Sequence, residues 1–299
     1  MTVTVAIPAH NEEKNIGQLL HALLSQEQDD FRISEIVVIS DGSTDGTAEV
    51  VRSLRHPSVR VIQGAGRLGK IVRMNEMFAS SPADVLVMFD ADVRLEHSRV
   101  IAHLVRPFLE DGAVGLVGGY DVPLDARTFV EQCANFGVRA WSAAVDSLEH
   151  NPKYRCASGR VRAFSRAFYK DLRVPPEIGS GEDTYCFYRA TADRHRVVFA
   201  PRAVVRFRSP STAADYLKQM RRFLREHEMI VREFGTAFVA RYETLNVTTR
   251  LRAFFREAAQ TPAHVVLGFA VLQLLAHALP GFRPSKTGTW EISTSTKNV

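Results

Sequence analysis

Apolar residues fall into two rhythms over the first hundred positions. Val3–Ile7 is a short, nearly unbroken apolar run, and Ile16, Leu19, Leu20, Leu23 and Leu24 then recur at helical spacing across Asn15–Leu24. Ile36–Ile39, Val59–Ile62 and Val85–Phe89 repeat the strand pattern, with a helix beginning at Thr47 between the first two. Strands alternating with helices predict βαβ crossovers and therefore an α/β fold with a doubly wound, mostly parallel sheet. From about Gly115 the alternation decays, which predicts shorter strands mixed with helices. No linker of Pro, Gly or Ser and no internal repeat separates the two halves.

The segment from Ala263 to Pro280 differs in kind, because only His264, Gln273 and His277 interrupt its apolar character. Eighteen helical residues would reach about 27 Å, just short of a hydrocarbon core of about 30 Å. Three arrangements are open: a membrane-seated or re-entrant helix, a single span, and a helix buried in the protein. Arg250, Arg252 and Arg256 precede it, interleaved with Leu251, Phe254 and Phe255, the make-up of a basic amphipathic helix on an anionic leaflet.

With 299 residues, 45% hydrophobic and 24% charged, the chain can bury a large core, and disorder is excluded as its default state. The net charge is +5, and residues 189–256 carry fifteen Lys and Arg against six Asp and Glu. Phosphate-bearing ligands or an anionic membrane face are the natural partners. Nucleic acid is not expected, since neither zinc-finger spacing nor an aromatic RNA-binding signature occurs. Cys133, Cys156 and Cys186 are odd in number and widely spaced, giving neither a disulfide framework nor a zinc site. The first strand follows directly on Met1, so no signal peptide is expected, and a reducing, cytoplasmic setting fits.

The densest chemistry lies where Val85–Phe89 ends in Asp90-Ala91-Asp92. Such a strand delivers both acids to the carboxyl edge of a parallel sheet, where open α/β folds bind ligands. Two hard oxygen ligands one residue apart suit Mg²⁺ or Mn²⁺, which keep several waters and complete their shells with substrate phosphates. Alone, Asp-x-Asp is a weak signal. Two further strand ends strengthen it, because Pro8-Ala9-His10-Asn11-Glu12-Glu13 follows the first strand and Asp41-Gly42-Ser43-Thr44-Asp45-Gly46 the second. Three strand ends offering carboxylates or amides describe a nucleotide cleft with its metal at the fourth strand.

Over roughly residues 3–225 the chain resembles the family 2 inverting glycosyltransferases of the GT-A fold. The matching stretches are Val5–Glu12, Ser40–Thr47, Gly69-Lys70 leading to Met74-Asn75, Phe89–Asp92, and Gly181-Glu182-Asp183. The resemblance implies that Pro8, Ala9, Asn11, Glu12, Asp41 and Lys70 hold the nucleotide. It also implies that Asp90 sits against ribose or metal, that Asp92 binds the metal, and that Asp183 is the base. Gln219-Met220-Arg221-Arg222-Phe223 looks like the Gln-x-x-Arg-Trp element of many members, with Phe223 in place of Trp. Gln219, Arg221 and Arg222 are therefore expected on the diphosphate or acceptor side, with Gly159 and Glu182; an Arg there can donate in a bidentate geometry that Lys cannot reproduce. Gly159-Arg160 and Arg166 resemble the segment lining the acceptor side.

The expected organisation is a GT-A catalytic domain over 1–235, with a nucleotide-binding half over 1–114 and an acceptor half over 115–235. C-terminal helices and a short tail follow over 236–299. The expected activity is metal-dependent transfer, with inversion, of a hexosyl or N-acetylhexosaminyl group from a nucleotide sugar, UDP-linked by the resemblance. The acceptor is a hydroxyl of a glycan or lipid-linked molecule at the cytoplasmic membrane face, as in polysaccharide biosynthesis. Two alternatives remain. A sugar nucleotidyltransferase would normally place a Gly-rich basic loop where Pro8–Asn11 stands, and a nucleotide-sugar-binding protein without turnover would have no need of Asp183 alongside Asp90 and Asp92.

Overall fold

The computed structural model describes residues 1–148, 153–278, 294–297 and 299. The first half holds β1 (Thr2–Ala9), α1 (Ile16–Leu24), β2 (Arg32–Ser40), α2 (Thr47–Ser53), β3 (Val59–Gln63), α3 (Lys70–Ser80), β4 (Val85–Phe89), β5 (Val93–Leu95) and α4 (Val100–Glu110). Strands β3, β2, β1 and β4 lie side by side in that order, all parallel. Alternate residues feed two cores. Val3, Val5, Ile7, Val85, Val87 and Phe89 join a cluster that includes Leu19 and Leu20 of α1 and Ile101 and Leu104 of α4. Ala6, Val37, Ile39, Leu86 and Met88 join another that includes Met74 and Phe78 of α3. With both faces covered, neither parity of a strand can be polar, and this is the cause of the unalternating runs.

The second half holds β6 (Val114–Pro123), α5 (Phe129–Asp146), α6 (Lys153–Cys156), β7 (Val161–Ser165), α7 (Arg166–Tyr169), a 3₁₀ turn (Pro176–Gly181), α8 (Glu182–Ala192) and β8 (Arg196–Phe207). The eight-stranded sheet continues β4-β7-β6-β8-β5. Here pairing is mixed: β7 runs antiparallel to β4 and β6, and β5 to β8, while β6 and β8 are parallel. The expectation of shorter strands beyond Gly115 is corrected, because β6 and β8, of ten and twelve residues, are the longest in the sheet. Their apolar pattern is interrupted by Gly118-Gly119 and Pro201, and the β6–β8 register shifts at Gly118/Tyr120. The glycine there serves close packing, since a Cβ on Gly118 would stand 2.5 Å from Cys156 Cα.

A helical layer completes the structure: α9 (Ala213–Phe234), α10 (Thr236–Ala240), α11 (Val247–Ala258) and α12 (Ala263–Ala278). Phe254 of α11 and Phe269 of α12 meet Phe136 of α5 edge-on, at 5.3 and 5.2 Å between ring centroids. Helices α5 and α12 approach through small residues, since a Cβ on Gly137 or on Gly268 would come within 2.5 Å of the Phe269 or Phe129 ring. At sixteen residues, α12 is about 24 Å long, and no helix among the described residues is long and apolar enough to cross a membrane. Positions 279 and 280 of the segment lie outside the described residues. Helix α12 is not buried all round either. Val265, Leu272 and Ala276 are buried, whereas Leu267 and Leu274 are 66% and 69% exposed.

Candidate active site

The carboxyl ends of β2, β1 and β4 stand next to one another, so the three loops share one edge. The first two are laced together. Asn11, at φ 54°, donates its backbone N–H to Ser43 Oγ at 3.1 Å, and its Oδ1 accepts from Thr44 N at 2.8 Å. Glu12 N donates to Thr47 Oγ1 at 2.8 Å, and Gly46 N to Glu13 Oε2 at 2.8 Å. His10 Nδ1 donates to the Asp41 carbonyl at 2.7 Å. Backbone groups freed where the strands end are thus satisfied within the pair of loops, which fixes both.

Asp41 is buried and fully engaged. Its carboxylate accepts from Leu68 N, Gly69 N and Arg73 Nε, each at 2.8 Å. Arg73, 3% exposed, also donates to Gly66 O at 2.8 Å, so this ion pair shapes the turn that leads into α3. A guanidinium and two N–H groups replace the water that burial takes from this carboxylate.

Lys70, the first residue of α3, sits between two acids. Its Nζ lies 2.6 Å from Asp90 Oδ1 and 2.8 Å from Glu182 Oε1. Burial alone would lower its pKa, but the two carboxylates outweigh that and hold it raised. Glu182 also faces Arg162, fully buried on β7, at 3.5 Å. Asp183 follows at the N-terminus of α8, and its Oδ1 accepts from Thr184 N at 2.7 Å. Burial, then the charge of Glu182, pushes the Asp183 carboxyl up to about 6. A Cβ on Gly159 would stand 3.3 Å from Asp183 Oδ2, Glu182 Oε1 and Lys70 Nζ alike, so the bare glycine leaves space where these groups converge.

Asp92 lies deeper at the edge, and burial, then the neighbouring Asp90, raises its pKa. A buried carboxylate that also feels a neighbouring acid forms a site that gains from a cation. Among the described residues no cluster of three or more His, Cys, Asp or Glu could enclose a metal. Asp90 and Asp92 line an open cavity, and that donor set fits a hard divalent ion whose remaining ligands are water and phosphate oxygens.

The cavity measures about 990 Å³ and has two ends. At one stand Pro8, Ala9, Glu12, Asp41, Asp90 and Asp92. The other is mainly apolar, with Ala134, Gly137, Trp141, Phe254 and Phe269 from α5, α11 and α12. Gln219, Arg222 and Phe223 of α9 line the same cavity, as do Gly159, Glu182 and Asp183. Arg160 also lines it, paired to Asp121 at 2.7 Å and stacked 3.7 Å over the Phe207 ring.

Most of the residues singled out in the sequence thus line one cavity: Pro8, Ala9, Glu12, Asp41, Lys70, Asp90, Asp92, Gly159, Glu182, Asp183, Gln219 and Arg222. Asn11 and Arg221 do not line it; Asn11 turns its amide to the second loop, and Arg166 reaches Pro82 O away from the cleft. Three residues of the site escaped sequence reasoning. Arg73 lies one helical turn beyond Lys70, a spacing that could have placed it beneath the loop. Arg162 stands two positions after Arg160 on β7, hence on the same face of the strand. Lys297 is 285 positions from Glu12 and carries no local signal, yet its Nζ donates to Glu12 Oε1 and, at 3.0 Å, to Asn11 O.

The sequence model described as "Glycosyltransferase like family 2" matches residues 2–225. The protein named probable glycosyltransferase YdaM, of Bacillus subtilis (strain 168), is 29% identical over 245 residues, covering 79% of this chain and 57% of its own length. A 4,4'-diaponeurosporenoate glycosyltransferase of Staphylococcus aureus (strain bovine RF122 / ET3-1) is 33% identical over 118 residues, 39% of this chain and 30% of that protein. The chain therefore spans little more than half of the first relative and under a third of the second. Among solved structures, the mannosyltransferase PcManGT from Pyrobaculum calidifontis, in complex with GDP-Man and Mn²⁺, superposes with a TM-score of 0.61 at 21% identity, over 91% of this chain and 80% of that one. Glucosyl-3-phosphoglycerate synthase from Mycobacterium tuberculosis, with Mn²⁺, UDP and glucosyl-3-phosphoglycerate, gives 0.53 at 20% identity over 78% and 80%. At these identities the likeness is one of fold, and the fold is GT-A.

Proposed function

The chain belongs to glycosyltransferase family 2, and on that premise we propose that it transfers a sugar, with inversion, from a nucleotide sugar to an acceptor hydroxyl. One observation carries this: a single cavity places the acid pair of β4 beside the acid pair that opens α8, with Lys70 bridging them at 2.6 and 2.8 Å. A donor site and a proton acceptor within one side chain's reach suit a displacement in which nucleophile and leaving group stand on opposite sides of one carbon.

Asp92 and Asp90 would hold Mg²⁺ or Mn²⁺, which supplies Lewis-acid stabilisation of diphosphate charge; a solved neighbour of this fold contains Mn²⁺ with a nucleotide sugar. The Pro8–Glu12 loop and the Asp41 turn form the nucleoside end, and UDP is the nucleotide proposed. Asp183 takes the proton of the acceptor hydroxyl as that oxygen bonds to the anomeric carbon. The bond from that carbon to the diphosphate oxygen breaks, and the diphosphate leaves with the electron pair near Arg222. Glu182 is ill suited as the base because Lys70 and Arg162 both face its Oε1. Asp183, with its carboxyl up to about 6, is a better proton acceptor than an ordinary aspartate and is still ionised at neutral pH.

The apolar end of the cavity supports a lipid-linked acceptor over a free glycan. Its walls lead to α11 and α12, whose outer faces expose Val247 and Phe255, then Leu267, Val271 and Leu274, close in sequence to Arg250, Arg252 and Arg256. Such a pair of helices suits an orientation flat on an anionic leaflet, with the acceptor's hydrocarbon part in the apolar end of the cavity. The test is a panel of nucleotide sugars incubated with and without Mn²⁺, scored for released nucleotide and for labelled lipid. Turnover of one donor only when metal is present is expected. Absence of both donor binding and turnover across the panel would refute the proposed activity.

A further inference from the structure

Thr296 and Lys297 line the cavity at the loop that follows β1, and residues 294–297 and Val299 are held on both sides by specific contacts. On one side, Ser295 N donates to Asp215 Oδ2 at 3.1 Å, and Ser211 N donates to Ser295 Oγ at 3.2 Å, next to the first turn of α9. On the other, the Asn15 amide holds the backbone in both directions: Nδ2 donates to Lys297 O at 3.0 Å, and Oδ1 accepts from Val299 N at 3.2 Å. Between these anchors Lys297 sends its amine into a hole walled by acceptors, the carbonyls of His10 and Asn11 and the Glu12 carboxylate.

This hole is selective for a hydrogen-bond donor. The partners of the amine are all oxygen atoms, and Glu12, 7% exposed, otherwise accepts from Asn15 Nδ2 at 2.9 Å. The same loop is the nucleoside end in the proposed function, so a ribose hydroxyl or a base N–H would seek the acceptors that Lys297 now uses. While the ammonium holds these acceptors, a nucleoside donor cannot stand in the same place.

We propose that residues 294–297, with Val299, form an autoinhibitory strap, in which Lys297 occupies the donor's nucleoside seat and must withdraw before a nucleotide binds. The inference rests on the assignment of the His10–Glu12 loop to the nucleotide. A protein whose open form is a tenth of the population binds its ligand about tenfold more weakly than the open form does. Releasing the strap should therefore tighten binding, whereas loss of a cation that contacts a diphosphate would weaken it.

Two variants of the whole chain separate these outcomes. Lys297→Ala removes the amine, and Ser295→Pro removes the N–H given to Asp215 while leaving Lys297 and its charge in place. Calorimetry with UDP and Mn²⁺ should show about tenfold tighter binding for Lys297→Ala and a change in the same direction for Ser295→Pro. Hydrogen exchange without nucleotide should be faster over residues 9–16 in both variants. In the unaltered chain, added UDP should speed exchange over 294–299. Weaker UDP binding by Lys297→Ala, or slower exchange over 294–299 on adding UDP, would overturn the strap and make Lys297 a donor ligand. Unchanged exchange over 9–16 in both variants would overturn it as well. If no chain binds UDP or GDP while exchange over 9–16 still responds to the variants, the strap docks as described and the nucleotide assignment is what fails.

Discussion

The two ends of the cavity are built in opposite ways. At the β1–β2–β4 edge, polar groups from different loops satisfy one another, down to an Asp41 carboxylate engaged by three N–H donors. At the α5–α11–α12 end the contacts are rings and glycines, and side chains such as Leu274 and Phe255 stay exposed outside. The first arrangement holds atoms at fixed positions, as chemistry requires. The second offers area without direction, which suits an apolar ligand of variable length. A change at the polar end should therefore alter rate, and one at the apolar end should alter which acceptor is used.

The largest effect is expected for Asp92→Asn. An amide is a poor ligand for a hard cation, and losing several kcal/mol of charge stabilisation should lower metal-dependent turnover about a thousandfold. Activity above a tenth of the unaltered chain, measured as nucleotide release over a Mn²⁺ titration, would take Asp92 out of the metal site. Next is Asp183→Asn, where transfer should fall about a hundredfold or more while UDP affinity by calorimetry stays the same. Because burial disfavours the Asp183 carboxylate, this variant should melt at the same temperature as the parent or higher at pH 8.

The pH profile comes third. With its carboxyl raised to about 6, Asp183 loses its function as base when it gains a proton, so kcat/KM should be level above about pH 7 and fall close to tenfold per unit below 6. In Asp183→Asn the residual activity should lack that limb, and an unchanged limb would assign it to another group. The smallest effect tests the other end. Leu267→Ser with Leu274→Ser should weaken flotation with anionic vesicles several-fold and leave donor hydrolysis unaltered. Equal flotation of the double variant and the parent would remove α12 from the membrane face.

How far the sequence could be read follows the same division. Strand β4 was legible to the residue, Val85–Phe89, because burial on both faces wrote an unbroken apolar run. In β2 only Ile36–Ile39 stood out, since Arg32–Glu35 at its start are less buried and leave no pattern. Strands β6 and β8 were obscured by the glycines and the proline that their own pairing and packing require. Asp90, Asp92 and Asp183 were readable because they adjoin recognisable element ends. Asn11 and Asp41 were also visible, yet the loops use their side chains to hold themselves together, a distinction that a one-dimensional motif does not carry. Lys297 and the lining from α5, α11 and α12 depend on folding that brings together residues more than a hundred positions apart.

The contacts of Gly137 with Phe269 and of Gly268 with Phe129 hold α5 against α12, and the first of them lines the apolar end. In each, one atom's worth of side chain is the difference between contact and collision. A single Gly→Ala change, paired with a smaller residue opposite, would move the wall while leaving every bond around Asp90, Asp92 and Asp183 in place. Duplicated copies of such a gene could diverge in acceptor range by one or two substitutions without passing through an inactive intermediate, because the residues that discriminate and the residues that react share a cavity but belong to different elements.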